Sequence, residues 1–208
     1  MGPERTGDTD GRTRRRLRTR QAIIDAHVDL MLEGDLRPTV DRIAQRAGVS
    51  RRALWTHFAD REELFAAAGE KTLGLQYADA GPLPVGAALD ERIDWFCRRR
   101  VRMLESIAGV ARAAQLWLPF SAQVRRNRAR HNDRLRDEIE RLFAPELDRL
   151  AGPDRTELVR ALVLATSWPA WMGGRDDLGL DVADAAAVLY RTVSALLTAA
   201  RTPPGTDG

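Results

Sequence analysis

The sequence predicts an all-α fold, with an N-terminal three-helix helix-turn-helix unit followed by a larger C-terminal helical domain. Three observations predict it. Apolar residues recur at helical spacing along most of the chain, and no stretch carries the alternation of a strand. Ser, Thr or Asp precedes several of these stretches and Gly follows them, which is the order of helix caps. The run Gly81-Pro82-Leu83-Pro84 breaks the pattern once and marks a domain boundary.

The elements follow in order. Residues 1–13 form a polar tail expected to be disordered. A first helix is expected from Arg14 to Glu33, with Ile23, Ala26, His27 and Leu30 on one stripe, and Gly34 stops it. Thr39 caps a short helix over Val40–Ala47, with Asp41 favoured in its first turn by the helix dipole. Gly48-Val49-Ser50 is a turn, and Ser50 caps a third helix, Arg51–His57. Asp60, followed three residues later by Glu63, opens a fourth helix that runs to about Tyr77. Residues 14–80 are thus expected to form one domain.

The second domain is expected over residues 81–201. Its first helix, about Ala87–Ala108, places Leu89, Ile93, Phe96, Val101, Leu104 and Ala108 on one face, and Gly109 interrupts it. A short segment, Val110–Leu118, precedes Pro119. The next helix carries Val124, His131, Leu135, Ile139 and Leu142. Two more helices are expected, Asp154–Met172 with a kink at Pro169, and Val182–Arg201. Gly173-Gly174 ends the first of these. Residues 202–208 are again expected to be disordered.

Composition narrows the function. With 44% hydrophobic residues the chain can build a core. No apolar run approaches the roughly 20 residues of a membrane span, and the polar N-terminus has no secretory h-region. A cytoplasmic location and no membrane partner are expected. Cys97 is the single cysteine, so no intrachain disulfide forms, and its apolar helical setting reads as a buried thiol. Positive charge is focused. Arg12 to Arg20 holds six arginines and no acid, and Arg42 to Arg61 holds five against Asp60 alone. Arg98-Arg99-Arg100 and the run Arg125 to Arg136 read as solvated faces. An enzyme is not expected: His27, His57 and His131 fall in separate helices, with no phosphate loop, no nucleophile signature and no ligand cluster. Neither a cofactor nor a metal is expected.

The decisive motif is TVDRIAQRAGVSRRALWTHF, residues 39–58. Ile43, Ala44, Ala47, Val49 and Leu54 are apolar where two helices cross steeply, and Gly48 permits a positive φ between them. Such a pair presents its second helix outward, with N-terminal side chains able to reach base edges in a major groove.

This segment resembles the TetR family of transcriptional regulators. Thr39, Ile43, Ala44, Ala47, Gly48, Val49, Ser50, Leu54, His57, Phe58, Glu62 and Leu64 match its pattern. Trp55 stands where tyrosine is usual, Arg52-Ala53 where Gly-Thr is common, and Arg61 where lysine is common. Chemistry and resemblance together assign DNA contacts to Arg16, Thr39, Ser50, Arg51, Arg52, Ala53, Trp55, Thr56, His57 and Arg61. Arg51 and Arg52 are the base-reading candidates, because arginine bonds guanine O6 and N7 together; phosphate contact is the competing reading. Thr39, Trp55, Thr56, His57 and Arg61 suit phosphates, with capping or packing the other reading for His57. Arg14 to Arg20 suits an arm along the backbone or in the minor groove.

The resemblance also implies a ligand-binding and dimerisation domain. Trp95, Met103, Trp117, Phe120, His131 and Trp168 are the pocket candidates, with core packing as the alternative for each. The last two helices would form the homodimer, through Val182, Ala186, Leu189, Val193, Leu196 and Ala200. The implied protein is a dimeric repressor that binds a palindromic operator in double-stranded DNA and is released by a small-molecule effector. An activator, or a helical binding protein that keeps the fold without operator repression, stands as the alternative.

Overall fold

Periodic apolar positions and helix caps fold this chain as eleven α-helices and one π-helical turn, with no strand among the described residues. The computed structural model describes residues 7–77 and 81–199, the side chains of residues 7–10 excepted. Two compact units result: Met1–Ala78 with Ile107–Asn127, and Asp79–Ser106 with Arg128–Gly208. Residues 107–127 therefore pack with the N-terminal unit, where a single cut near residue 81 was expected.

In the first unit, α1 spans Gly7–Leu32. It starts seven residues before the expected Arg14; residues 1–6 of the expected tail lie outside the described residues. Residues 11–18 are exposed, so no burial supports them. Arginine is a good helix former, and propensity extends the helix beyond its apolar stripe. That stripe, Ile23, Ala26 and Leu30 with Ile24 beside it, is buried. At the end of α1, Gly34 (φ 97°) lets its N–H bond Met31 and the Asp35 N–H bond Leu30. This Schellman arrangement satisfies carbonyls that the helix end would leave open.

Helices α2 (Val40–Arg46), α3 (Arg51–His57) and α4 (Arg61–Tyr77) follow. Ile43 and Ala44 from α2, Leu54 from α3, Phe58 and Leu64 close a core with Ile23, Ile24, Ala26 and Leu30. Asp60 caps α4 by accepting from the Glu63 N–H at 2.8 Å, and the Glu63 carboxylate accepts from the Ala59 N–H at 2.7 Å. That is the expected capping box, displaced by one residue on its return bond. Helix α6 (Ala108–Trp117) packs on α1. Gly109, expected to interrupt a helix, has another role: a Cβ there would lie 2.1 Å from the Met31 carbonyl oxygen. The interruption itself comes at Ile107 (φ −112°, ψ 8°).

The second unit holds α5 (Leu89–Ser106), most of α7 (Ala122–Leu142), α8 (Ala144–Leu147), α9 (Gly152–Ala165), α10 (Trp168–Met172) and α11 (Val182–Ala199). Pro169 does not kink a continuous helix. The helix ends at Ala165 and a new one starts at Trp168, which puts Pro169 in a first turn that needs no donor from it. Gly173-Gly174 does not stop the chain's helical course either, since a π-helical turn runs over Gly173–Asp177. In α11 the buried row is Ala185, Leu189, Val193 and Leu197, at a spacing of four. By length and mean hydropathy (1.3) α11 could cross a bilayer, a correction to the expectation that no run approaches that length. Its buried row and its Asp184 and Arg191 suit a helix packed within a folded unit.

The arginine runs depart most from expectation. Arg98 is solvated and pairs with Asp94, but Arg99 is buried against Glu138 at 2.9 Å. Arg100 is 2% exposed and donates its Nε–H to the Thr166 carbonyl at 2.6 Å. Arg92 is buried too. It donates to both Glu146 oxygens (2.8 and 2.6 Å) and to the Leu142 and Ala87 carbonyls. A guanidinium survives burial only with such complete pairing. The Cys97 thiol is buried as expected, and burial pushes its pKa up to about 12.

Glu146→Gln leaves the Arg92 charge buried without its counter-ion. It is expected to cost about 3–5 kcal/mol in denaturant unfolding, whereas Arg98→Gln, on a solvated pair, changes little. Equal small effects would contradict this account of the buried pair.

Candidate nucleic-acid interface

The turn between α2 and α3 decides what α3 can present. Gly48 (φ 68°) donates to the Gln45 carbonyl and Val49 donates to Ala44 at 3.0 Å, a second Schellman motif. Val49 then turns into the core. Ser50 follows at once as the N-cap of α3, its hydroxyl oxygen accepting from the Ala53 N–H at 3.1 Å. Thr39 caps α2 in the same way, accepting from Arg42 N–H at 3.3 Å. Helix stop, turn and helix start thus occupy four residues, and Leu54, fully buried, fixes the rotation of α3. The N-terminal end of α3 faces outward, with Arg51 and Arg52 exposed.

The ten DNA candidates separate by their surroundings. Arg52 is exposed and has no acidic partner among the described residues. Arg51 faces Asp41 at 3.7 Å, both well exposed, a contact that water screens. Thr39 and Ser50 use their oxygens as caps and keep a hydroxyl hydrogen to donate. Thr56 donates its hydroxyl to the Ala53 carbonyl at 2.6 Å. Ala53 and His57 are half-buried, and Trp55, also half-buried, packs against the core. Arg16 is exposed on α1. Arg61 lies with its guanidinium 4.9 Å from the centre of the Trp117 ring.

Much of the positive charge seen in the sequence is used internally. Arg42 pairs with Asp35 and Arg46 with Glu33, and the Arg46 partnership holds the Glu33 carboxyl below its ordinary range. Arg20 bonds Glu63 at 3.0 Å and covers the Phe58 ring at 4.6 Å. Nothing in the sequence marks Glu33, Asp35 and Asp41 as these partners, because an acid at or beyond a helix end carries no periodic signal.

The pocket candidates divide between the two units. Trp117 and Phe120 belong to the first unit; Trp117 packs on Phe65 (5.4 Å) beneath Arg61, and Phe120 is 79% exposed. In the second unit Trp95 is half-buried, with Arg99 over its ring at 5.4 Å. Met103 and Trp168 are buried. His131 Nε2 lies 3.3 Å from the Arg100 guanidinium. Burial, then Arg100, Arg128 and Arg134, lower the His131 pKa to about 3, so the ring is neutral. Among the described residues no group of His, Cys, Asp and Glu is placed to hold a metal.

Two short capped helices on a shared core, with a cationic N-terminal end turned outward, make the first unit a helix-turn-helix DNA-binding unit. Residues 23–68 match the family described as bacterial regulatory proteins, tetR family. This segment is thus that family's helix-turn-helix DNA-binding segment, as a transcriptional regulator carries. Among solved structures it is similar to the crystal structure of a transcriptional regulator from Rhodococcus sp. Rha1. The TM-score is 0.64 at 18% identity, over 91% of this chain and 99% of that one. At that identity the likeness is one of fold. No curated protein matches the chain.

His27 gives this unit a pH dependence. It is 3% exposed, stacks on Phe65 at 5.9 Å, and its Nδ1 has no hydrogen-bond partner. Burial, and then Arg61, lower its pKa to about 4 from the ordinary 6.5, against a smaller opposite effect of Asp35. The unfolded chain therefore binds a proton below pH 6.5 that the folded unit refuses until about pH 4. Stability is expected to fall through that window by about 1.4 kcal/mol per pH unit at most. His27→Leu should flatten that slope in unfolding titrations between pH 7 and 5. An unchanged slope would show that His27 does not carry it.

Proposed function

We propose that the protein is a dimeric, ligand-responsive repressor that binds a palindromic operator through α3 and is released by a small molecule. One observation carries the DNA reading: the Gly48–Ser50 turn leaves Arg51 and Arg52 exposed together at the start of α3. Two adjacent guanidinium groups there suit guanine O6 and N7 in a major groove. Arg61, at the start of α4, gains nothing locally from the positive helix end. Its place suits a phosphate, with the Trp117 ring behind the guanidinium limiting its freedom. Thr39, Ser50 and Trp55 suit phosphates through their remaining donors, and His57 and Thr56 flank them.

Arg51→Ala and Arg52→Ala are expected to cost about 1–3 kcal/mol per half-site and to relax preference at one base pair each. Arg61→Ala should instead weaken all sequences alike and lower the salt slope by about one. Affinities for a site selected from a random pool and for its single-base variants, at several salt concentrations, separate these. Uniform weakening by all three variants would remove base reading from α3.

A dimer suits a palindromic operator, since two recognition helices then meet successive major grooves about 34 Å apart. Support comes from apolar residues left in water: Leu164 on α9 is 69% exposed, and Val188 and Tyr190 on α11 are 55% and 39% exposed. α9 and α11 pack side by side, and a second pair would complete a four-helix bundle. The face differs from the stripe read in the sequence. Leu189 and Val193 of that stripe are core residues, and Ala200 lies outside the described residues. Leu164→Glu with Val188→Glu is expected to give monomers in sedimentation, while Val193→Glu should unfold the unit. A dimer that survives the double change would refute this face.

For the effector we propose a small molecule with an apolar or aromatic body, held in the second unit. Buried Met103 and Trp168 and the neutral His131 support this, as apolar walls with one polar group. Tryptophan fluorescence against a ligand library should find quenching that Trp168→Phe removes. Quenching that persists in that variant would move the site elsewhere.

A further inference from the structure

Arg15, Arg16 and Arg18 are positive charges that the fold leaves unused. All three are exposed on α1, and none has an acidic partner among the described residues. Two residues further on, Arg20 is already tied to Glu63 and Phe58. The first buried residue of the helix is Ile23. At 1.5 Å per residue the stretch from Arg12 to Ile23 runs for about 16 Å. It therefore extends α1 as a helix whose length no burial explains.

We propose that this stretch is a second DNA-contacting element: a helical arm lying along the phosphate backbone beyond the site read by α3. It adds affinity without sequence preference. The inference rests on the DNA-binding reading of the first unit. Charge is the first argument. Arg15 and Arg18 are three residues apart, and Arg16 and Arg20 four apart, so like charges share helix faces and weaken the helix. A row of phosphates reverses that sign. Shape is the second. A helix with its side chains is about 10–12 Å across, too wide for a minor groove about 6 Å wide. The arm therefore meets phosphates and does not read base edges, which removes the minor-groove alternative for a chain that is helical here. Measured along the duplex axis, its length spans about five base-pair rises of roughly 3.4 Å. The third argument excludes a lipid surface. Leu17 is the one apolar residue between Arg12 and Gln21, so the arm has no stripe to bury in a bilayer interface.

The test uses the full chain with Arg15→Gln, Arg16→Gln and Arg18→Gln combined. Glutamine has nearly the helix propensity of arginine, so circular dichroism should not change. Affinity is measured by fluorescence anisotropy on a 40-base-pair random-sequence duplex and on a selected site, each at several salt concentrations. The slope of log affinity against log salt should become shallower by about 2–3, at about 0.9 per lost phosphate contact. Affinity for both duplexes should fall by the same factor, and base preference should not move. An unchanged slope overturns the arm, and so does a loss confined to phosphatidylserine vesicles with DNA binding intact. Arg51→Ala with Arg52→Ala, run beside it, keeps the two ideas apart. If that double variant loses the selected site while the triple variant loses nothing, the arm fails and the α3 reading stands. If the triple variant alone loses slope, the arm stands and α3 does not read the site. A wild-type chain that binds neither duplex overturns both.

Discussion

The first unit depends on two seven-residue helices that could not exist alone. Helices of that length are far below what is stable in water, because nucleation is costly and few bonds repay it. Here α2 and α3 hold because each end is satisfied and each offers a few apolar side chains to α1. Thr39 and Ser50 take the free N–H groups, and Gly48 in its left-handed conformation closes the carbonyl end of α2. With only four residues for stop, turn and start, the direction of α3 has no slack. The base reading proposed for α3 rests on that direction, because it decides which of its side chains reach outward.

The arginines divide by what surrounds them. In the second unit Arg92, Arg99 and Arg100 lie inside the protein, bonded to carboxylates or to backbone carbonyls. Arg100 takes the carbonyl of Thr166, where the chain breaks between α9 and α10. In the first unit Arg20, Arg42 and Arg46 tie helices together from the surface. The arginines left for a polyanion in the first unit include Arg15, Arg16, Arg18, Arg51, Arg52 and Arg61. Arginine suits all three uses because its planar fork bonds carboxylates, carbonyls and phosphates with the same geometry and keeps its charge when buried.

Much of the first unit was legible in the sequence because its signals are local. Gly34, Thr39, Gly48, Ser50 and Asp60 with Glu63 mark helix ends through contacts spanning at most five residues, and each took the role read from its position. The misses involve distant partners. Nothing near Arg99 announces Glu138, thirty-nine residues away, so a buried ion pair read as a solvated run. Gly109 looked like a helix breaker because its reason for being glycine, the Met31 carbonyl, belongs to another helix. Trp117 read as a pocket residue for the same cause: its neighbours Phe65 and Arg61 come from α4. On α11 the period was right, but Val193 faces the core, which a pattern of apolar residues cannot distinguish from a face toward a second subunit.

In the proposed function α3, held by the Gly48–Ser50 turn, reads base pairs in a major groove. Selecting bound duplexes from a random-sequence pool tests it most directly. The expected result is one enriched inverted repeat, with guanine in each half and half-site centres about one helical turn, roughly 34 Å, apart. Methylation of guanine N7 at those positions should abolish binding. A pool that stays random after selection, with retention governed by salt alone, would contradict it.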